Sequence, residues 1–179
     1  MAPLDLNVTR VARFETGVFD EGGTEVVVHD GGRFYATNAD ANRIDIYTAG
    51  SDERGEISLA DVPNNGGVTS VAARDGLVAV AIENSDSQAN GFVALFDAAD
   101  TSAPAAILEV GVLPDMLTFT PTGEIVVALE GEASASGDPM GGVAVITLAE
   151  PRADSTVEIF DFAGFDGQED ALRAQGVRI

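Results

Sequence analysis

One pattern recurs three times along this chain, and that repetition restricts the available folds more than any single motif. The first copy comprises residues 24–29 (TEVVVH), 34–38 (FYATN) and 44–47 (IDIY). The second comprises 69–73 (TSVAA), 77–83 (LVAVAIE) and 92–97 (FVALFD). The third comprises 116–120 (MLTFT), 124–130 (EIVVALE) and 142–147 (GVAVIT). Matching positions stand at Glu25, Ser70 and Met116, spaced by 45 and 46 residues, and at Asn38, Glu83 and Glu130, spaced by 45 and 47. A fixed period of this size, filled with short strands, is what propeller blades produce.

A further strand-like run follows each copy, at 56–60 (EISLA), 106–110 (AILEV) and 157–161 (VEIFD), and a cousin precedes the first at 10–14 (RVARF). Four strands per repeat follow. Between the first and second strand of each copy stand Asp30-Gly31-Gly32, Arg74-Asp75-Gly76 and Pro121-Thr122-Gly123. Glycine and aspartate there supply the positive φ of a tight hairpin. The expected fold is therefore all-β, a partial β-propeller with four antiparallel strands per blade and about three and a half blades present. The blades are expected near residues 24–62, 68–112 and 115–163, in one domain spanning 1–179. Residues 165–179 read as a short helical connection: Asp166 can cap, Glu169 and Asp170 suit a first turn, and Gly176 stops it. Leu172 is then expected against a blade edge.

Propellers have at least about four blades, so this set is short of a ring. The expectation is a piece of a longer protein whose remaining blades complete it; the alternative is that another protein chain fills the gap. Bare sheet edges would otherwise invite aggregation.

The net charge of −21, from 30 acidic against nine basic residues, repels phosphate backbones and anionic membrane surfaces. Nucleic-acid binding is excluded on that ground. No apolar run approaches the roughly 20 residues of a membrane-spanning helix, so no membrane insertion is expected in this segment. Without cysteine there is no disulfide, thiolate metal site or Cys nucleophile. The first residues lack the basic start and apolar core of a signal peptide, so export would need a signal outside them.

Antiparallel blades send alternate loops to opposite faces. One face is expected to gather Asp20, Glu21 and Glu25; Asn38, Asp40 and Asn42; Asn64 and Asn65; Glu83, Asn84 and Asp86; Asp115; and Glu130, Glu132 and Asp138. The longest loops, 83–91 and 130–142, fall on it too, and long loops on a rigid scaffold are where binding resides. Carboxylates and amide oxygens with few bases nearby suit a hard cation such as calcium. The candidate metal ligands are Glu21, Glu25, Asn38, Glu83, Asp115, Glu130, Glu132 and Asp138. Solvated loop acids are the plainer reading, and no EF-hand loop is present. His29, the one histidine, lies on the opposite hairpin face and reads as a surface turn residue. No Gly-x-Ser-x-Gly elbow, P-loop or His-Glu-x-x-His helix occurs.

Several stretches resemble the choice-of-anchor I family of bacterial extracellular propeller proteins, whose relatives are often labelled alkaline phosphatase or mesenchyme-specific cell-surface glycoprotein. They are residues 14–25 (FETGVFDEGGTE), 68–72 (VTSVA), 113–123 (LPDMLTFTPTG), Glu130-Gly131-Glu132, 138–146 (DPMGGVAVI) and 167–179 (GQEDALRAQGVRI). The resemblance implies a parent that continues with further blades and is extracellular, periplasmic or held at the cell surface. It carries a phosphatase label without a catalytic set. Where the family has an acid-rich stretch, residues 133–137 here read ASASG, with no carboxylate.

The expected function is a non-catalytic binding or interaction scaffold in an exported surface or secreted protein. Two alternatives are a calcium-dependent phosphoester hydrolase of the alkaline phosphatase or phytase type, and a filament or extracellular-matrix subunit. Basic residues beside the acids would favour the hydrolase, and only Arg43 is near that face.

Overall fold

Each repeat closes on itself as a meander. In the computed structural model, which describes residues 7–10, 12–15 and 23–178, three four-stranded antiparallel sheets pair their strands in chain order. Blade 1 holds β1 (Val27–Asp30), β2 (Arg33–Asn38), β3 (Arg43–Thr48) and β4 (Arg54–Ser58). Blade 2 holds β5 (Asn65–Arg74), β6 (Leu77–Asn84), β7 (Asn90–Asp97) and β8 (Ala106–Val112). Blade 3 holds β9 (Pro114–Phe119), β10 (Ile125–Leu129), β11 (Gly142–Thr147) and β12 (Thr156–Asp161). The first strands adjoin from blade to blade, β5 touching both β1 and β9. The architecture is that of a partial propeller.

The hairpins obey the turn chemistry of the sequence. Gly31 and Gly32 take φ of 56° and 82°, and Asp75 and Gly76 take 52° and 81°. Two successive positive φ values make the type I′ turn, whose twist matches its flanking strands. The third turn is wider, closing Thr120 N–H onto Glu124 O at 2.8 Å.

Burial follows position in the stack. Blade 2 is covered on both faces, and β6 and β7 are buried along nearly their whole length. One apolar slab packs Tyr35, Ile44, Ile46 and Ile57 of blade 1 against Val71, Val80 and Phe96 of blade 2. A second packs Leu95 and Leu108 against Leu117, Ile125, Val127 and Ile146 of blade 3. In the middle strands of blade 3 only alternate residues are buried, because one face has no neighbour among the described residues. Side chains also stitch blade to blade. Asp30 accepts from the N–H groups of Asp75 and Gly76 at 3.2 and 2.9 Å. Arg33 donates to Ala98 O at 2.6 Å, and Arg74 to Thr120 O at 2.5 Å.

Three local expectations shift. Residues 24–26 precede β1 instead of belonging to it, because Thr37 Oγ1 accepts from the N–H groups of Glu25 and Val26 at 3.2 and 3.1 Å, replacing ladder bonds. The described part of 10–14 forms no strand, having no sheet to pair with; Phe14 instead stacks on Tyr47, with ring centroids 4.5 Å apart. The helix α1 (Glu169–Ala174) begins after Gln168, so Asp166 does not cap it. Gly176, at φ 90°, follows its end, and Leu172 is half-buried.

Candidate functional site

The loops that follow each blade's second strand leave the same end of the stack. Asn38 is the last residue of β2, Glu83 stands one residue before the end of β6, and Glu130 follows β10 directly. The equivalence in the sequence thus becomes equivalence in space. The loops 85–89 and 130–141 meet: Gln88 lies so close to Gly137 that any side chain there would overlap its Oε1. A side chain at position 137 would push the Gln88 amide, the movable end of a flexible side chain, out of this contact. Within loop 85–89, Asn84 Oδ1 accepts from Asp86 N–H at 3.0 Å and Asp86 Oδ1 from Gln88 N–H at 3.1 Å. These side chains shape the loop by mimicking backbone turns. The stretch 133–137 folds back on itself, Ser134 N–H bonding Gly137 O at 2.7 Å.

The proposed ligands have different surroundings. Glu25, Asp115, Glu130, Glu132 and Asp138 are exposed, and Glu83 is half-buried beside Gly67. Glu21, with Asp20, lies outside the described residues. Asn38 is buried and fully engaged: its Nδ2 donates to Asp45 Oδ2 at 2.8 Å, and its Oδ1 accepts from Ala41 N–H at 3.0 Å. Among the described residues, no three His, Asp or Glu side chains converge as a metal ligand set. One acceptor stands open. Asn42 Nδ2 donates to Asn65 Oδ1 at 2.9 Å, but Asn42 Oδ1 is buried without a hydrogen-bond partner.

Sequence reasoning missed a second polar constellation, on the face of blade 1 turned away from blade 2, where Phe14 lies over Tyr47. Asp45, buried in the middle of β3, accepts from Asn38 and from Arg43 Nε, the latter at 2.7 Å. Arg43 also pairs with Glu56 at 2.9 Å. The bond to Asp45 raises the Arg43 pKa further, so this guanidinium stays charged. Burial, then the Asp45 charge, pushes the Tyr47 phenol up as well. Arg54 lies over the rings of Tyr47 and Phe14, at 5.6 and 5.9 Å from their centroids, a cation–π geometry. A cavity of about 330 Å³ opens among Arg43, Asp45, Arg54 and Glu56. The signal was in β3 itself, where Arg43, Asp45 and Tyr47 alternate with Ile44 and Ile46.

A model of the choice-of-anchor I domain matches residues 25–179. Among solved structures, the chain is similar to quinohemoprotein alcohol dehydrogenase ADHIIG from Pseudomonas putida HK5, with a TM-score of 0.55 and 13% identity. That match covers 75% of this chain and 26% of the other, so the chain spans about a quarter of its length. At such identity the likeness bears on the fold alone. No curated protein matches.

Proposed function

Since the chain belongs to the choice-of-anchor I domain family, we propose that it is a surface-associated β-propeller domain acting as a non-catalytic interaction scaffold in an exported protein. The observation that carries this reading is the meeting of loops 85–89 and 130–141 on one face, the first of them carried by the middle strands of blade 2, which are buried along nearly their whole length. A core of that kind holds loops rigidly, and a rigid loop surface is what recognition of a partner uses. The acidic face, in a chain of net charge −21, favours partners that carry positive charge or bring cations with them.

A second reading, calcium held by the loop face, rests on the buried, unpartnered Asn42 Oδ1. The hydrolase form of that reading needs a base for phosphate. Arg43 is already committed to Asp45 and Glu56.

Adding calcium while following melting temperature and cleavage of a chromogenic phosphate ester separates these readings. The scaffold reading expects no turnover with or without calcium. Turnover that vanishes with a chelator overturns it; a higher melting temperature without turnover supports a cation-binding scaffold.

A further inference from the structure

Strand alternation fills one cavity with charge. On the face of blade 1 turned away from blade 2, Asp45 pairs across the ladder with Glu56, and Tyr47 with Arg54. The chain's own segment crosses this face, laying Phe14 on Tyr47 and bringing Glu15 to the wall of a cavity of about 330 Å³. Arg43 stands in the same wall. Small-molecule sites occupy about 300–1,000 Å³, so the space suffices for a compact ligand.

These groups divide by how far their partners already satisfy them. Asp45 is spent: Oδ1 accepts from Arg43 at 2.7 Å, and Oδ2 from Asn38 at 2.8 Å with the Tyr47 hydroxyl at 3.4 Å. Arg43 is spent on Asp45 and Glu56. Glu56 pairs with Arg43 and Glu15 with Arg13, and their side chains stay 58% and 65% exposed. A carboxylate has about four acceptor sites, so both keep capacity to spare. Arg54 makes no hydrogen bond or ion pair among the described residues, its head being held by the faces of Tyr47 and Phe14. All of its N–H donors are therefore free.

A cavity with one unsatisfied guanidinium and two under-used carboxylates selects against simple ions. An anion gains Arg54 but must enter the field of Glu15, Glu56 and a chain of net charge −21. A cation gains the carboxylates but stands against Arg54. A zwitterion satisfies both signs and brings no net charge. The guanidinium fork matches a carboxylate in bidentate geometry, and an ammonium group has several donors to share between carboxylates. We propose that this cavity binds a free α-amino acid, with the ligand's carboxylate on Arg54 and its ammonium group on Glu15 and Glu56. The stack of Phe14 and Tyr47 holds Arg54 in place ahead of binding, which lowers the ordering cost. This site does not rest on the scaffold reading, which concerns the loops after the second strands.

Calorimetric titration of the 179-residue chain with L-alanine, and with L-glutamine for a longer polar side chain, tests this. The expected result is saturable binding of at least one of them. Propionate, which lacks the ammonium group, and ethylamine, which lacks the carboxylate, should give no saturable heat. Arg54→Gln should weaken binding at least ~10-fold, the loss expected for a hydrogen bond to a charged group. Glu56→Gln should weaken it by a smaller factor, and Arg54→Lys, which keeps the charge without the fork, should fall between parent and Arg54→Gln. Both positions are exposed, so each variant should keep the parent's far-ultraviolet dichroism spectrum. Absence of saturable binding by either amino acid overturns the proposal. So does propionate binding as tightly as L-alanine, or an Arg54→Gln variant that binds as the parent does.

Discussion

All nine basic side chains are arginines, and the structure uses the planar, multi-donor head that lysine lacks. Arg33 and Arg74 reach backbone carbonyls across blade seams, and Arg43 joins two carboxylates at once. The acids have local duties too. Thr120 and Thr122 hydroxyls donate to the Glu124 carboxylate, and with its backbone bond they lower its pKa from 4.5 to about 2. A depressed carboxylate stabilises the folded state above its unfolded pKa, and that contribution disappears as pH falls through the folded value. For Glu124 the window runs from about 4.5 down to about 2. Urea unfolding across this range should show a smaller loss of stability with acid for Glu124→Gln than for the parent; identical slopes would mean that the threonine cage does nothing for folding.

At the scale of the element, the period-2 and turn signals carried most of the information. Each repeat's alternation and its glycine-bearing turn were enough to set twelve strands and their pairing order, because pleat and turn chemistry are local. Residues 10–14 failed the same test. Their pattern is strand-like, yet a ladder needs a partner, and among the described residues none lies beside them. Which face of a strand is buried depends on its blade's neighbours. Leu117, 1% exposed, sits between blades 2 and 3, whereas Val126 looks outward and is half-buried. Leu117→Ala should cost about 2–5 kcal/mol by emptying that slab. Val126→Ala, with no packing lid above it, should cost clearly less. Urea midpoints compare the two, and equal losses would place Val126 in a packed interior that the structure does not give it.

Across the whole molecule, charge is the dominant long-range fact. Thirty acids against nine bases leave most carboxylates without a cationic partner, and the ion pairs that form are mainly exposed. Self-repulsion of this kind weakens the compact state until salt screens it. Raising ionic strength from about 0.1 to 1 M should raise the melting temperature. A fall would show that specific surface pairs outweigh the net repulsion.

The candidate ligands divide along the same line. For Asn38, Glu83 and Glu130 the shared end of the stack was legible, because loops alternate between the ends of antiparallel strands. Their chemical availability was not legible. Asn38 is consumed by Asp45, a residue seven positions away that only the β2–β3 pairing brings within 2.8 Å. Repeat period, turn residues and strand alternation determined the blades, since each rests on neighbours in sequence. Strand pairing within a blade decided which polar groups are already partnered, and stacking of one blade on the next decided which apolar faces are covered, since that depends on contacts between residues roughly one repeat apart.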